Sequence, residues 1–135
     1  MAMAMDDKRT LLVDCDLRRP SQHRLLQIPR DVGFTTVVTG THRLEDAILP
    51  TAVPNLYVLP SGPTPPNPSE VLNSQHSRDL FRRFADEYDI VIVDCPPCAG
   101  LGDVQVIATF VDGVVLVASI GETLRPHLHL AMLRE

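Results

Sequence analysis

The sequence predicts an α/β fold, a mostly parallel sheet flanked by helices, and three observations predict it. Residues 10–14 (TLLVD), 89–94 (DIVIVD) and 113–118 (GVVLVA) are short, continuous, β-branched apolar runs, the pattern of strands buried on both faces of a parallel sheet. Segments of helical periodicity lie between them, which gives a βαβ order. The 135 residues have the length of one domain, with no internal repeat and no linker to divide them.

Taken in order, the strand at 10–14 leads into the charged cluster DCDLRRP, and GFTTVVTG (33–40) follows as a short helix. A weaker strand, LYVL at 56–59, runs into the proline-rich loop SGPTPPNP. A helix should begin after Asn67, with Pro68 in its first turn and Glu70 placed to reach back to the cap. The clearest helix is 75–87, with Leu80, Phe81, Phe84, Ala85 and Tyr88 on one stripe. Its other side is solvated surface, carrying the i,i+4 pairs Arg82–Asp86 and Arg83–Glu87. Residues 103–111 and 123–134 are the remaining helical candidates.

Composition narrows the function. A formal charge of −5 with scattered arginines offers no grip for nucleic acid. No apolar run approaches the roughly 18–20 residues that span a bilayer, and MAMAMDDKR lacks the apolar centre of a signal peptide, so the expected compartment is the cytoplasm, without direct membrane insertion. Cys15, Cys95 and Cys98 fit a reduced setting better than a disulfide framework. Cys95 and Cys98 have CxxC spacing, but the two prolines between them read as tight strand-end packing rather than as a metal or redox site. The five histidines form no ligand set and read as solvated surface.

The polar residues gather where strands end: DCD after 10–14, PSG after 56–59, DCPP after 89–94. In an open parallel sheet the carboxyl ends of the strands face the crevice where ligands bind, so the three share one rim. Asp14, Asp16 and Asp94 there would repel one another without a cation. Hard oxygen ligands suggest Mg2+, which at such a rim arrives with nucleotide phosphate. Arg18 can sit beside the same phosphates or hold an aspartate in place. The plainer alternative is that Asp14 and Asp94 cap the loops that follow them.

These residues resemble the bacterial tyrosine kinases of capsule and exopolysaccharide biosynthesis, built on the partition-ATPase type of P-loop fold. LLVDCDLRRP is similar to that family's Walker A prime motif, IVIVDCPP to its Walker B strand, and NLYVLPSGPTPPNPSEVL to its characteristic loop and helix; DGVVLVASIGETLRP resembles the strand and turn that follow. The resemblance implies ATP as nucleotide, Mg2+ held by Asp16 and Asp94, and Asp14 acting on a tyrosine hydroxyl as base or orienting it. It implies Arg18 among the catalytic and nucleotide-binding groups and Arg125 near the base. It also implies a membrane adaptor of polysaccharide export as partner, association with the membrane through that adaptor, and homo-oligomers.

One departure from the pattern is large. The family's GxxxxGK[ST] loop has no counterpart here, and the one lysine, Lys8, enters a strand rather than opening a helix. The reading is therefore an incomplete P-loop NTPase-like fold, residues 1–135 forming a single kinase-like domain truncated at both ends, inactive alone for want of the loop. Two alternatives stand beside it. One is a non-catalytic partner module of the same fold. The other is a phosphatase of the haloacid dehalogenase type with Asp14 as nucleophile and Asp16 as acid and base.

Overall fold

The computed structural model describes residues 7–97, 102–119 and 121. Three parallel strands form its centre: β1 (Thr10–Asp14), β3 (Leu56–Leu59) and β4 (Ile90–Asp94). A two-residue antiparallel edge, β2 (Leu49–Pro50), completes a sheet of order β2-β3-β1-β4. The sheet is thus mixed, and β2 is the strand the sequence did not announce, since two residues carry no periodicity. The register is continuous, with Thr10 opposite Leu56 on one side and Ile90 on the other. All three parallel strands therefore end at the same rim.

Helices α1 (Gln22–Leu25), α2 (Phe34–Val38), α3 (Leu44–Ala47), α4 (Pro68–Leu72), α5 (Gln75–Glu87) and α6 (Asp103–Ala108) surround the sheet. Helix α5 has the predicted bounds. It buries Ser77, Phe81 and Phe84 against the sheet, and Ser74 caps it by accepting from Ser77 N at 3.2 Å. Ala85 lies on the solvent side instead of on the stripe, and Arg82 reaches back to Asp79 at 3.4 Å rather than to Asp86. Arg83–Glu87 forms as expected at 2.6 Å. At α4, Pro68 opens the helix after Asn67, but Glu70 accepts the side-chain amide of Asn67 rather than its backbone N–H. The core joins Leu11, Val13 and Leu59 of the sheet to Phe34, Leu72 and Phe84 of the helices.

Two strand expectations change. The apolar run at 89–94 predicts a strand buried on both faces, yet β4 is only half-buried and Ile92 is 38% exposed, because among the described residues it is the sheet's edge. The run at 113–118 forms no strand. It lies outside the sheet with Val115 89% exposed, so its apolar, β-branched composition gave the right appearance without a partner to pair with. Residues 123–134, Arg125, Cys98, His127 and His129 fall outside the described residues. No helix among the described residues is long and apolar enough to cross a membrane.

Candidate functional site

The rim is built around one register pair. Asp14 ends β1 and Asp94 ends β4, directly opposite one another across parallel strands. Asp14 is fully buried. One of its oxygens accepts from Asp16 N at 3.2 Å, and the other from Ser21 N at 3.2 Å and Gln22 N at 3.1 Å. It thereby caps α1 from a distance of seven residues, which explains why Ser21 makes no side-chain cap of its own. Burial pushes the Asp14 carboxyl above its ordinary range, the amides of Gln22 and Asp16 pull it down, and the Asp94 charge raises it again.

Gln22 serves both carboxylates. Its backbone N–H goes to Asp14 and its side-chain amide donates to Asp94 Oδ2 at 2.7 Å. No sequence pattern marked this residue, because its role depends on a turn that returns the chain to the rim. Asp16 is half-buried, and its Oδ1 accepts from Arg19 N at 3.0 Å, closing the turn that starts the DLRRP segment. No group of three or more His, Cys, Asp or Glu side chains among the described residues is arranged as a metal-ligand set. Asp14 and Asp94 are the pair that the register brings together, and Asp16, two residues beyond Asp14, turns one carboxylate oxygen to the Arg19 amide.

Arg18 holds an aspartate, but one that the sequence reading did not single out. Its Nε donates to Asp103 Oδ2 at 2.8 Å and its Nη2 to Ser69 Oγ at 3.1 Å, while Ser69 Oγ donates to Asp103 Oδ1 at 2.5 Å. Asp103 is 1% exposed, so this network ties the loop after β1 to the first turns of α4 and α6 beneath the rim. Burial raises the Asp103 carboxyl, but the Arg18 guanidinium and the Ser69 hydroxyl more than offset it and leave it below the usual range. Its stabilisation is accordingly present above the ordinary carboxylate range and lost as pH falls through the folded-state value. Asp103→Ala should cost about 2 kcal/mol at neutral pH. Urea unfolding at pH 7 and pH 3 checks both points, since the gap between wild type and variant should shrink in acid.

The loop after β3 completes the rim. Phe34 N donates to Pro60 O at 2.8 Å and Thr35 N to Ser61 O at 2.9 Å, while Thr35 Oγ1 donates to Pro63 O at 2.9 Å. The proline-rich segment is thus fastened to the start of α2.

The chain matches the AAA domain family over residues 1–124. It is 38% identical over 123 residues to the tyrosine-protein kinase YwqD of Bacillus subtilis, covering 91% of this chain and 52% of that protein. The kinase domain of the Escherichia coli tyrosine kinase ETK superposes with a TM-score of 0.93 at 33% identity, over 98% of this chain and 52% of that one. The septum site-determining protein MinD of Pyrococcus horikoshii, complexed with Mg-ADP, superposes with a TM-score of 0.61 at 27% identity, over 81% of this chain and 43% of that one. The chain spans about half the length of YwqD and of the Staphylococcus aureus CapB, and 15–18% of the length of the longer tyrosine kinases it also matches. It belongs to the AAA domain family, as a relative of bacterial tyrosine kinases.

Proposed function

We propose that the chain supplies the carboxylate side of a magnesium–nucleotide site in an ATP-dependent protein-tyrosine kinase of capsule or exopolysaccharide biosynthesis. The observation that carries this reading is the in-register pair of Asp14 and Asp94 at the carboxyl rim of the sheet, with Gln22 touching both.

Magnesium beside a nucleotide takes one or two protein carboxylates and completes its shell with water and phosphate oxygens, so Asp94 and Asp16 fit it without a three-residue cage. When bound, the ion would neutralise charge on the transferring phosphate. Asp94 would hold it after exchanging its bond with Gln22, and Asp16 would do so through the oxygen that does not face Arg19. The base role implied for Asp14 requires it to give up one of its three backbone amides to the tyrosine hydroxyl; its raised carboxyl makes it a stronger base than an ordinary aspartate once it does. Arg18 acts from below, through Asp103 and Ser69, to fix the loop that carries Asp16.

Lys8 precedes β1 whereas Asp14 ends it, so about six residues of extended chain, roughly 20 Å, separate the lysine from the rim. The cationic grip on phosphate therefore comes from elsewhere, and the chain alone should bind nucleotide weakly. Tyr57 and Tyr88 read as structural rather than as phosphate acceptors. Tyr88 is buried, its ring packs edge-on to Tyr57 at 6.0 Å, and Arg9 lies over both. A membrane adaptor as activating partner, and assembly with further copies, follow from the family resemblance. The phosphatase alternative would need Asp14 as nucleophile and faces the same burial as the base role.

The test is paramagnetic broadening by Mn2+ in the presence of ADP. The amides of Asp14 to Leu17 and of Asp94 and Cys95 should broaden in the wild type and be spared in Asp94→Asn. Removing one of two like charges facing each other should leave stability unchanged or raised by up to about 1 kcal/mol, so lost broadening could not be blamed on unfolding. Broadening elsewhere, or equal broadening in the variant, sinks the proposal.

A further inference from the structure

The ladder that pairs Asp14 with Asp94 continues for one more rung. Cys15 N donates to Asp94 O at 2.8 Å, the bond a parallel pair makes when Cys15 stands opposite Cys95. Side chains alternate along a strand, so both thiols turn to the face away from the carboxylates. There Cys15 is fully buried in the core and Cys95 is partly buried against it, its thiol donating weakly to Val93 O at 3.6 Å. Adjacent strands lie about 4.8 Å apart, inside the roughly 4.4–6.8 Å that a disulfide spans between Cα atoms.

We propose that Cys15 and Cys95 are the two halves of a reversible disulfide, an oxidation site that staples β1 to β4 one residue beyond the Asp14–Asp94 pair. It stands on the register alone and does not require the nucleotide reading. The oxidant is hydrogen peroxide. Cys95, the more accessible thiol, attacks one peroxide oxygen; the S–O bond forms, the O–O bond breaks, and the first water leaves. Cys15 sulfur then attacks the sulfenic sulfur of Cys95; the S–S bond forms, the S–O bond breaks, and the oxygen departs with the Cys15 proton as a second water. Two thiols are oxidised and one peroxide is reduced. Cys15 is sealed in the core whereas Cys95 is only partly buried, so the chemistry starts at Cys95. Direct register partners must draw together by about 1 Å to reach disulfide Cβ spacing, which makes the bond strained and readily reduced, as a responsive bond is, rather than a permanent one.

Cys98 is the rival for Cys95, and the experiment is arranged around it. The folded chain is treated with hydrogen peroxide, remaining thiols are alkylated, and linked peptides are mapped by mass spectrometry. A monomer that has lost two hydrogens, with Cys15 joined to Cys95 and Cys98 alkylated, is expected, and dithiothreitol should reverse it. The Cys98→Ser chain should give the same link, and Cys95→Ser should give none. A Cys95–Cys98 bond with Cys15 alkylated overturns the proposal. So do disulfide-linked dimers in place of the internal bond, or a Cys15 that is still alkylatable once the oxidised chain is unfolded in denaturant.

Discussion

Replacing Gly33 by alanine is expected to destabilise the fold by about 3 kcal/mol, more than any exposed substitution on α5. Backbone conformation is not the cause, because Gly33 is fully extended at φ −173°, which any residue adopts. Space is the cause. A Cβ there would fall under 3.0 Å from Gly62 N, Pro60 O and Gly62 Cα, all of them backbone atoms that no rotamer change can move. The chain approaches so closely because Phe34 N and Thr35 N must reach the carbonyls of Pro60 and Ser61 to satisfy the first turn of α2. Either the loop or the helix start must then shift, and these bonds are lost with it. A thermal or urea transition checks the value. Gly62→Ala offers a second reading: with φ +79° and the Thr35 hydroxyl in the way, it adds strain to the clash and should be as damaging. If both variants melt like the wild type, the loop is not fastened as described.

The same residues show how far sequence reasoning reached. The strands at 10–14, 56–59 and 90–94 and the helix at 75–87 were legible because each depends on a local period or on β-branched runs, and the rim followed from the rule that parallel strands share an end. Asp14 and Asp94 were found that way. What escaped was decided over long sequence separations. Gln22 meets Asp94 across 72 positions and Arg18 meets Asp103 across 85, and neither spacing carries a pattern. The run at 113–118 shows the opposite failure, since propensity for a strand is present but among the described residues it pairs with no other strand. Local chemistry placed the carboxylates; tertiary contacts decided what holds them.

Asp14→Ala is expected to cost about 3 kcal/mol, and the reason bears on which role this residue fills. Truncation leaves the part-buried N–H groups of Asp16, Ser21 and Gln22 without their acceptor, each at about 1 kcal/mol or more, while it relieves the cost of burying a charge beside Asp94. Asp14→Asn keeps one acceptor oxygen but turns an NH2 group toward a donor, so it should cost less, about 1 kcal/mol. The two variants also differ from the wild type in pH dependence. The folded Asp14 carboxyl binds its proton more tightly than the unfolded one, so the stability it contributes is fullest below the ordinary carboxylate range and is lost as pH rises through the folded-state value. That sign is opposite to the one for Asp103, and a difference curve of wild type minus Asp14→Asn isolates it. The curve should fall as pH rises from the ordinary carboxylate range through the folded-state value. A flat curve, with Asp14→Ala as stable as the wild type, would mean that the α1 amides do not depend on this carboxylate. Asp14 would then be available to a tyrosine hydroxyl without rearrangement; a loss of about 3 kcal/mol in Asp14→Ala instead makes release of α1 the step that must precede any proton transfer at this rim.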